Sequence, residues 1–140
     1  MINKVTITNF QSHEDTTVEL HPRFNAFIGP SDSGKSAIVR ALRLLGLNKP
    51  SGDSYRSWWG GDTEVCATKA DTDISRQKGK ELNSYWIEAE IFGAKEFKAF
   101  GANVPEEIQA ALNLDVINIQ SQLDPPFLLS LSPGEVARYL

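Results

Sequence analysis

Apolar and polar positions alternate in the opening stretch of the chain, which predicts that the fold begins with β-strands. Ile2, Val5 and Ile7 are apolar and most of the residues between them are polar, which is typical of a strand with one buried face. Residues 16–20 are rich in β-branched side chains and predict a second strand after a polar turn. Residues 24–28, Phe-Asn-Ala-Phe-Ile, predict a short buried strand that leads into a glycine-containing loop.

The middle of the chain predicts one helix and then more strands. Residues 37–45 place apolar side chains at helical spacing. A loop rich in Gly, Pro, Ser and aromatic residues follows over 46–61. Residues 63–69 and 72–77 predict a β-hairpin, and residues 84–92, rich in aromatic and β-branched side chains, predict a further strand.

The last part of the sequence predicts two helices that flank a short strand. A proline followed by two glutamates favours a helix over 105–112. Residues 116–120 form a short apolar stretch that predicts a strand. Ser132 and Glu135 have the spacing of a capping box, with a proline between them, and predict a helix that begins at about 133 and is not finished at 140.

Composition places the chain among ordinary soluble domains. Its 140 residues are enough for one domain with a core, and 41% are apolar and 23% charged. No apolar run is long enough to span a membrane, and the N-terminus lacks a signal-peptide pattern. The single cysteine, Cys66, is predicted to be a small apolar strand residue, and a reducing cytoplasm is the simplest compartment. A net charge of −4 gives no indication of nucleic-acid binding.

One octapeptide carries recognisable chemistry. It matches the phosphate-binding pattern G-x-x-x-x-G-K-[ST], and its residues are Gly29, Pro30, Ser31, Asp32, Ser33, Gly34, Lys35 and Ser36. Glycines let successive backbone N–H groups approach phosphate oxygens, the lysine reaches the β- and γ-phosphates, and the final serine offers its hydroxyl to Mg²⁺. A predicted strand before the loop and a predicted helix after it are the context that this motif requires. A Gly/Ser-rich turn before an ordinary helix is the disfavoured alternative.

Two further groups of residues allow a structural or a functional interpretation. The adjacent Trp58 and Trp59 cannot both face one core, so either one packs and the other lies on the surface, or one stacks on a nucleotide base. Four cations on the predicted hairpin form either a solvated face or the chain's candidate basic patch. They are Lys69, Arg76, Lys78 and Lys80.

A P-loop hydrolase also needs an acidic residue at the end of a strand to hold Mg²⁺ and orient water. Glu88 follows three apolar or aromatic residues, but it lies in the hairpin region, and the residues before Asp115 are too polar. No strong candidate is found in the sequence. Either an unusual acid such as Asp124 serves, or the rest of the site is on another polypeptide.

Two motifs on either side of the phosphate loop resemble those of a known group of ATPases. The opening segment 2–15, with Asn-Phe-Gln-Ser-His at 9–13, resembles the first strand and turn of the SbcC-like double-strand-break repair ATPases, which belong to the SMC and RecN group. The segment 119–124, Ile-Gln-Ser-Gln-Leu-Asp, resembles the glutamine loop of that group. The resemblance covers the whole chain in order and combines three motifs.

The resemblance implies an α/β fold: a P-loop NTPase forming the N-terminal lobe of an ABC-type ATPase head, with an antiparallel β-hairpin subsheet. It implies one lobe over 1–140 that ends at the root of a coiled coil from about 133. The implied partners are a C-terminal lobe with the signature motif and Walker B, a second head in a homodimer, a nuclease subunit and DNA, without a membrane. Two ATP molecules with Mg²⁺ would lie between the heads, so the isolated chain is expected to be inactive.

The resemblance also assigns roles to individual residues. Residues 31–37, which end at Ala37, would wrap the phosphates, with Lys35 as the catalytic cation. Ser36 and Gln120 would coordinate Mg²⁺, and Gln122 is the competing glutamine.

Two departures from the group's pattern affect the expected nucleotide contacts. Gln11 and Ser12 match positions that touch the nucleotide, but arginine is common where Gln11 stands, so a weaker contact is expected. Ser31 and Asp32 replace the usual Asn-Gly. The carboxylate of Asp32 would point outward, cap a backbone N–H or weaken phosphate binding.

Three other functions remain as alternatives. A small P-loop kinase should have an arginine-rich lid and its own acidic strand end, and neither is found between residues 46 and 140. A nucleotide-binding domain of an ABC transporter usually has a different first hairpin, with an aromatic residue that stacks on adenine. An interaction module with a vestigial loop is disfavoured by the intact Lys35 and Ser36.

Overall fold

A sheet of six strands forms the centre of the fold. The computed structural model of the chain describes residues 1–98, 101–115, 118–120, 124 and 131–138. The strands are β1 (Lys4–Phe10), β2 (His13–Glu19), β3 (Thr63–Lys69), β4 (Thr72–Lys78), β5 (Asn83–Ala89) and β6 (Gly93–Phe97). The described helices are α1 (Lys35–Leu47), α2 (Glu106–Leu112) and α3 (Pro133–Val136). The strand order is β2-β1-β3-β4-β5-β6, and every neighbouring pair is antiparallel.

The predicted alternation in β1 places one face of this strand in the core. Val5, Ile7 and Phe10 are fully buried, and in the register Val5 lies opposite Ala67 and Ile7 opposite Val65. The helix α1 contacts β1, β3 and β4, whereas α2 contacts β4 and β5. The buried side chains of α1 and α2 complete one apolar cluster with the sheet, so burial of apolar area holds the helices in place.

Both ends of α1 use residues in the left-handed backbone region. Gly34 precedes the helix with φ +86°, and Asn48 follows it with φ +51°. The backbone N–H of Asn48 donates to the carbonyl of Leu44 at 3.1 Å, which satisfies a carbonyl at the helix end. Both boundaries are therefore set by local backbone conformation.

The predicted strand at 24–28 is wrong. The structure gives these residues no strand conformation, and Phe24 is 79% and Ile28 93% exposed. A buried strand needs neighbours that pair with its backbone and cover its side chains. No described strand pairs with this segment.

The predicted grouping of four cations on one hairpin surface is also wrong. Arg76 is buried, Lys69 donates to the carbonyl of Ala111 at 2.7 Å, and only Lys80 is without a described contact to another element. Lys78 lies 4.3 Å above the ring of Tyr55. Arg76 and Lys78 are two residues apart in β4, so they lie on the same face of the sheet, and both line one cavity that Lys69 and Lys80 do not reach. The four cations therefore form neither a common solvated face nor one patch.

Other predicted elements are confirmed with shifted boundaries. β2 begins three residues before the predicted strand, because Gln11 takes φ +50° and tightens the turn. β5 ends at Ala89, and β6 was not predicted, since its segment Gly-Ala-Lys-Glu-Phe has no apolar alternation. Of the strand predicted at 116–120, residues 116–117 lie outside the described residues, and 118–120 are not in a strand.

The capping box that the sequence predicts at the start of the last helix is confirmed. The Glu135 carboxylate accepts hydrogen bonds from the backbone N–H of Ser132 at 3.0 Å and from its hydroxyl at 2.7 Å. The described part of this helix is α3, so its continuation into a coiled coil remains a prediction. None of the described helices has the length and apolarity to cross a membrane.

Cys66 occupies β3 as a half-buried strand residue, as predicted. Burial raises the pKa of its thiol to about 11. The thiol is therefore protonated at neutral pH and is a poor nucleophile there.

Replacement of Gly46 tests the packing of α1. Gly→Ala in a helix interior normally stabilises a protein by up to about 1 kcal/mol, but a Cβ at Gly46 would lie 2.9 Å from the Cβ of Leu114. We expect Gly46→Ala to lower the free energy of unfolding by about 1–2 kcal/mol, since overpacking outweighs propensity. Gly134→Ala is the control, because its Cβ meets nothing within 4 Å. Urea unfolding that shows Gly46→Ala to be as stable as the unchanged chain would contradict this packing.

Candidate nucleotide-binding site

The phosphate loop joins the exposed segment 24–28 to the N-terminus of α1. Gly34 has φ +86°, a backbone conformation that residues with a Cβ rarely adopt. The backbone N–H of Ala37 donates to the carbonyl of Gly34 at 2.9 Å. Asp32 is also left-handed, with φ +59°, and is exposed to solvent. Of the three orientations considered for its carboxylate, the outward one agrees with this exposure.

The lysine of the loop is folded back onto the loop itself. Lys35 Nζ donates to Ser33 Oγ at 3.1 Å and to the carbonyl of Pro30. Ser33 Oγ donates to the same carbonyl at 2.9 Å. These acceptors are neutral, and charge-assisted hydrogen bonds to phosphate oxygens are stronger. The loop therefore holds a cation that a phosphate can recruit by replacing these internal contacts.

The end of the β1–β2 turn contacts the phosphate loop through His13, the first residue of β2. His13 Nε2 lies 3.0 Å from the carbonyl oxygen of Gly34, and His13 Nδ1 lies 2.9 Å from Thr16 Oγ1. A carbonyl can only accept, so Nε2 carries the proton and donates, and in the neutral ring Nδ1 accepts from the Thr16 hydroxyl. A Cβ at Gly34 would lie 3.0 Å from both His13 Nε2 and Ser12 Oγ. The glycine is thus required by its φ and by this close approach.

Sequence reasoning did not single out His13 as a residue of the site. The signal that could have identified it is its position next to Ser12 in the Asn-Phe-Gln-Ser-His segment, in the turn that the resemblance placed near the nucleotide.

The described hydrogen bonds of Gln11 are with α1 and the loop that follows it. Its amide nitrogen donates to the carbonyl of Ser54 at 2.9 Å, and its amide oxygen accepts from Arg40 Nε at 2.7 Å. Its backbone N–H donates to the carbonyl of Tyr55 at 2.9 Å. In this structure the residue links the β1–β2 turn to α1 and the following loop, and its nucleotide contact stays a prediction.

The two tryptophans differ in their surroundings. Trp59 is 37% exposed, and its indole N–H donates to Asn9 Oδ1 at 3.0 Å, whereas Trp58 is 90% exposed. Their rings meet edge to face with centroids 5.5 Å apart. Trp59 is therefore linked to β1 by one hydrogen bond, and Trp58 lies on the surface. Stacking on a base stays a prediction.

The expected metal ligands lie at two places in the chain. Ser36 is in the first turn of α1, and Gln120 is exposed and donates from its amide nitrogen to the carbonyl of Asp124 at 3.5 Å. Gln122 lies outside the described residues. The described part of the chain holds no cluster of three or more His, Cys, Asp or Glu side chains. The expected ligands offer hydroxyl and amide oxygens, which together with phosphate oxygens suit Mg²⁺.

The two candidates for a catalytic acid, Glu88 and Asp124, have described contacts elsewhere in the chain. Glu88 is in β5, opposite Asp73 and Ala94. Asp124 forms an ion pair with Arg43, with 3.5 Å between the charged atoms. Neither carboxylate has a described contact with the phosphate loop.

The chain belongs to the family described as the AAA ATPase domain, whose model matches residues 1–123. It is 30% identical over 108 residues to the DNA replication and repair protein RecF of Lactococcus lactis, an overlap of 77% of this chain and 23% of that protein. It is 43% identical over 49 residues to the DNA double-strand break repair Rad50 ATPase of Sulfolobus acidocaldarius, an overlap of 35% of this chain and 5% of that protein. The chain thus spans less than a quarter of either relative.

A solved structure shares the fold. It comes from work on the ATP-driven dimerization and DNA-stimulated activation of SMC ATPases, and it matches with a TM-score of 0.68 at 19% identity over 98% of this chain and 95% of that chain. The predicted fold class, the N-terminal lobe of an ABC-type P-loop head, is confirmed. The resemblance to the SMC, RecN and SbcC-like group is confirmed as well.

Removal of the His13 imidazole tests the support of the loop. We expect His13→Ala to weaken ATP binding by about 3- to 10-fold, because the loss of one hydrogen bond leaves the Gly34 carbonyl less restrained. His21→Ala, which changes the chain's other histidine, is the control. Titration of a fluorescent ATP analogue measures the effect, with circular dichroism to verify folding. Equal affinities of the His13 variant and the unchanged chain would refute the supporting role.

Proposed function

We propose that the chain is the ATP-binding lobe of a DNA repair or chromosome-maintenance ATPase, in which ATP-driven association of two heads acts on DNA. The observation that carries this proposal is the phosphate loop at the start of α1, with Lys35 inside it and His13 beneath it. The similarity of the chain to RecF and Rad50 supports this class. A transporter domain and a small kinase have no such support.

The lobe needs a second lobe to complete its site. Phe24 and Ile28 expose apolar side chains directly before the phosphate loop, where a P-loop fold requires a covered strand. A C-terminal lobe with the signature motif and the Walker B acid would supply neighbours for this segment and the missing carboxylate. The helix that begins at Pro133 would lead into the coiled coil between the lobes, at the end of a lobe spanning 1–140.

The proposed cofactor is ATP with Mg²⁺. Residues 31–37 would wrap the phosphates, with Gln11 and Ser12 near the nucleotide. Ser36 and Gln120 would bind the metal, with Gln122 as the alternative to Gln120. Mg²⁺ supplies charge neutralisation between the β- and γ-phosphates, and Lys35 adds a cation on the same oxygens.

The proposed partners follow from the same assignment. They are a second head in a homodimer, DNA and a nuclease subunit, in the cytoplasm or at the nucleoid.

Turnover by the isolated chain tests the proposal. In phosphoryl transfer the protein contributes positioning and charge stabilisation, so a lobe without the acid and the opposite head should bind ATP but release phosphate no faster than background. Addition of the C-terminal lobe as a separate polypeptide should restore hydrolysis, with a rate that rises more than linearly with protein concentration.

Two variants make this experiment specific. Lys35→Ala should abolish ATP binding and the restored activity, whereas Lys80→Ala, at an exposed lysine, should change neither. Steady-state phosphate release by the chain alone that Lys35→Ala abolishes would overturn the proposal, because the lobe would then hold a complete site.

A further inference from the structure

A cavity of about 780 Å³ opens beside α1. Its lining comes from the middle of this helix, the loop that follows it, the strands β4 and β5, and residues 11, 101 and 102. The phosphate loop is fully described, and none of its residues lines the cavity. This volume falls within the range of small-molecule binding sites, roughly 300–1,000 Å³. Gln11, which is proposed to lie near the nucleotide, also lines the cavity, so the two sites are neighbours. Because the cavity contains no residue of the phosphate loop, it is a distinct candidate site.

Five cationic side chains line this cavity, and the described lining contains no carboxylate. They are Arg40, Arg43, Lys49, Arg76 and Lys78. The cavity lining is positively charged, although the whole chain has a net charge of −4. Concentration of like charge in a concave region attracts anions.

The helix contributes two of these cations from one face. Arg40 and Arg43 are three residues apart in α1, so they lie next to each other along the helix. Arg40 is oriented by its hydrogen bond to the Gln11 amide, and Arg43 forms an ion pair at 3.5 Å with Asp124, which is 44% exposed. An exposed pair of this length contributes little to stability, and it leaves Arg43 able to bind another anion.

Arg76, which also lines the cavity, is held more rigidly than the helix cations. Arg76 is 1% exposed, and its guanidinium donates to Asn48 Oδ1 at 3.1 Å and to Asn83 Oδ1 at 2.6 Å. The guanidinium also lies 4.8 Å from the centre of the Tyr85 ring. These contacts hold a buried positive charge in one place against its desolvation cost.

Lys78 is another cation of the cavity lining. Its ammonium donates to the carbonyls of Pro50 and Gly52 at 3.3 Å and of Ser51 at 3.4 Å, which are long hydrogen bonds to neutral groups. Burial lowers the pKa of Lys78, the positive charge of Arg76 lowers it further, and the carboxylate of Asp53 raises it in part. Arg76 is thus close enough to act on the charge of Lys78, and an anion bound near both cations would interact favourably with both.

We propose that this cavity binds the phosphate groups of a ligand one or two nucleotides in size, at a site distinct from the ATP of the phosphate loop. Arginine forks match the geometry of phosphate oxygens, and lysines add point charges. A cationic or apolar ligand does not suit this lining. The phosphates can come from a free nucleotide or from the end of a nucleic-acid strand, and these sources share the same chemistry.

The test measures phosphate binding with the phosphate loop disabled. In the Lys35→Ala chain, two probes are titrated by calorimetry at low salt: inorganic pyrophosphate and a 5′-phosphorylated tetranucleotide. Arg40→Gln with Arg43→Gln should weaken binding of the recognised probe by about tenfold or more, because two charge-assisted hydrogen bonds are lost. Lys49→Gln, in the loop after α1, should also weaken binding of this probe, and it leaves the helix sequence unchanged. Lys95→Gln is the matched control, since Lys95 is on β6 and outside the cavity.

Each outcome either tests whether the site exists or identifies the source of its phosphate ligand. Binding of pyrophosphate alone, lost in the cavity variants, supports the site and indicates a free nucleotide. Binding of the tetranucleotide alone, or of both probes, supports the site and indicates that a strand end enters it. Binding of neither probe, or equal affinities in the cavity variants and the Lys95→Gln control, would overturn the proposal.

Discussion

The contact between His13 and the carbonyl of Gly34 joins the sheet to the phosphate loop. Gly34 lies at the N-terminus of α1 with φ +86°, and it approaches the β1–β2 turn too closely for a side chain. The loop's conformation therefore depends on the position of β1, whose own apolar residues are fixed in the core. The buried residues of β1 fix the position of the β1–β2 turn, and the hydrogen bond from His13 fixes Gly34. Lys35 follows Gly34 directly, so its position depends on the same contacts.

The apolar segment before the phosphate loop is not covered by any described part of the chain. The segment 24–28 has the composition of a buried strand but exposes Phe24 and Ile28. Exposed apolar side chains in sequence indicate a surface that another segment covers. The same segment leads into the phosphate loop, so whatever covers it would also restrain the loop. The proposed second lobe would thus complete the core and the nucleotide site together.

The strands with clear alternation and the helix after the loop could be predicted from the sequence, because their periodicity reports one buried face. β6 could not be predicted, since Gly93–Phe97 pairs with β5 through its backbone and has little apolar pattern. The phosphate loop was predicted from its motif, whereas the role of His13 depends on a contact across 21 positions of sequence. The sequence predicted a surface position for Arg76 because it does not show that Asn48 and Asn83 accept hydrogen bonds from the buried guanidinium.

Amide hydrogen exchange of residues 24–28 tests most directly whether this lobe is completed by another. The exchange is measured by mass spectrometry on the chain alone and on the chain mixed with the C-terminal lobe, with ATP and Mg²⁺ present in both samples. We expect fast exchange in the lobe alone and a slowing of about a hundredfold or more in the mixture, because pairing protects strand amides. Protection of this segment in the chain alone, or unchanged exchange in a mixture that forms the complex, would contradict the proposal that a second lobe covers it.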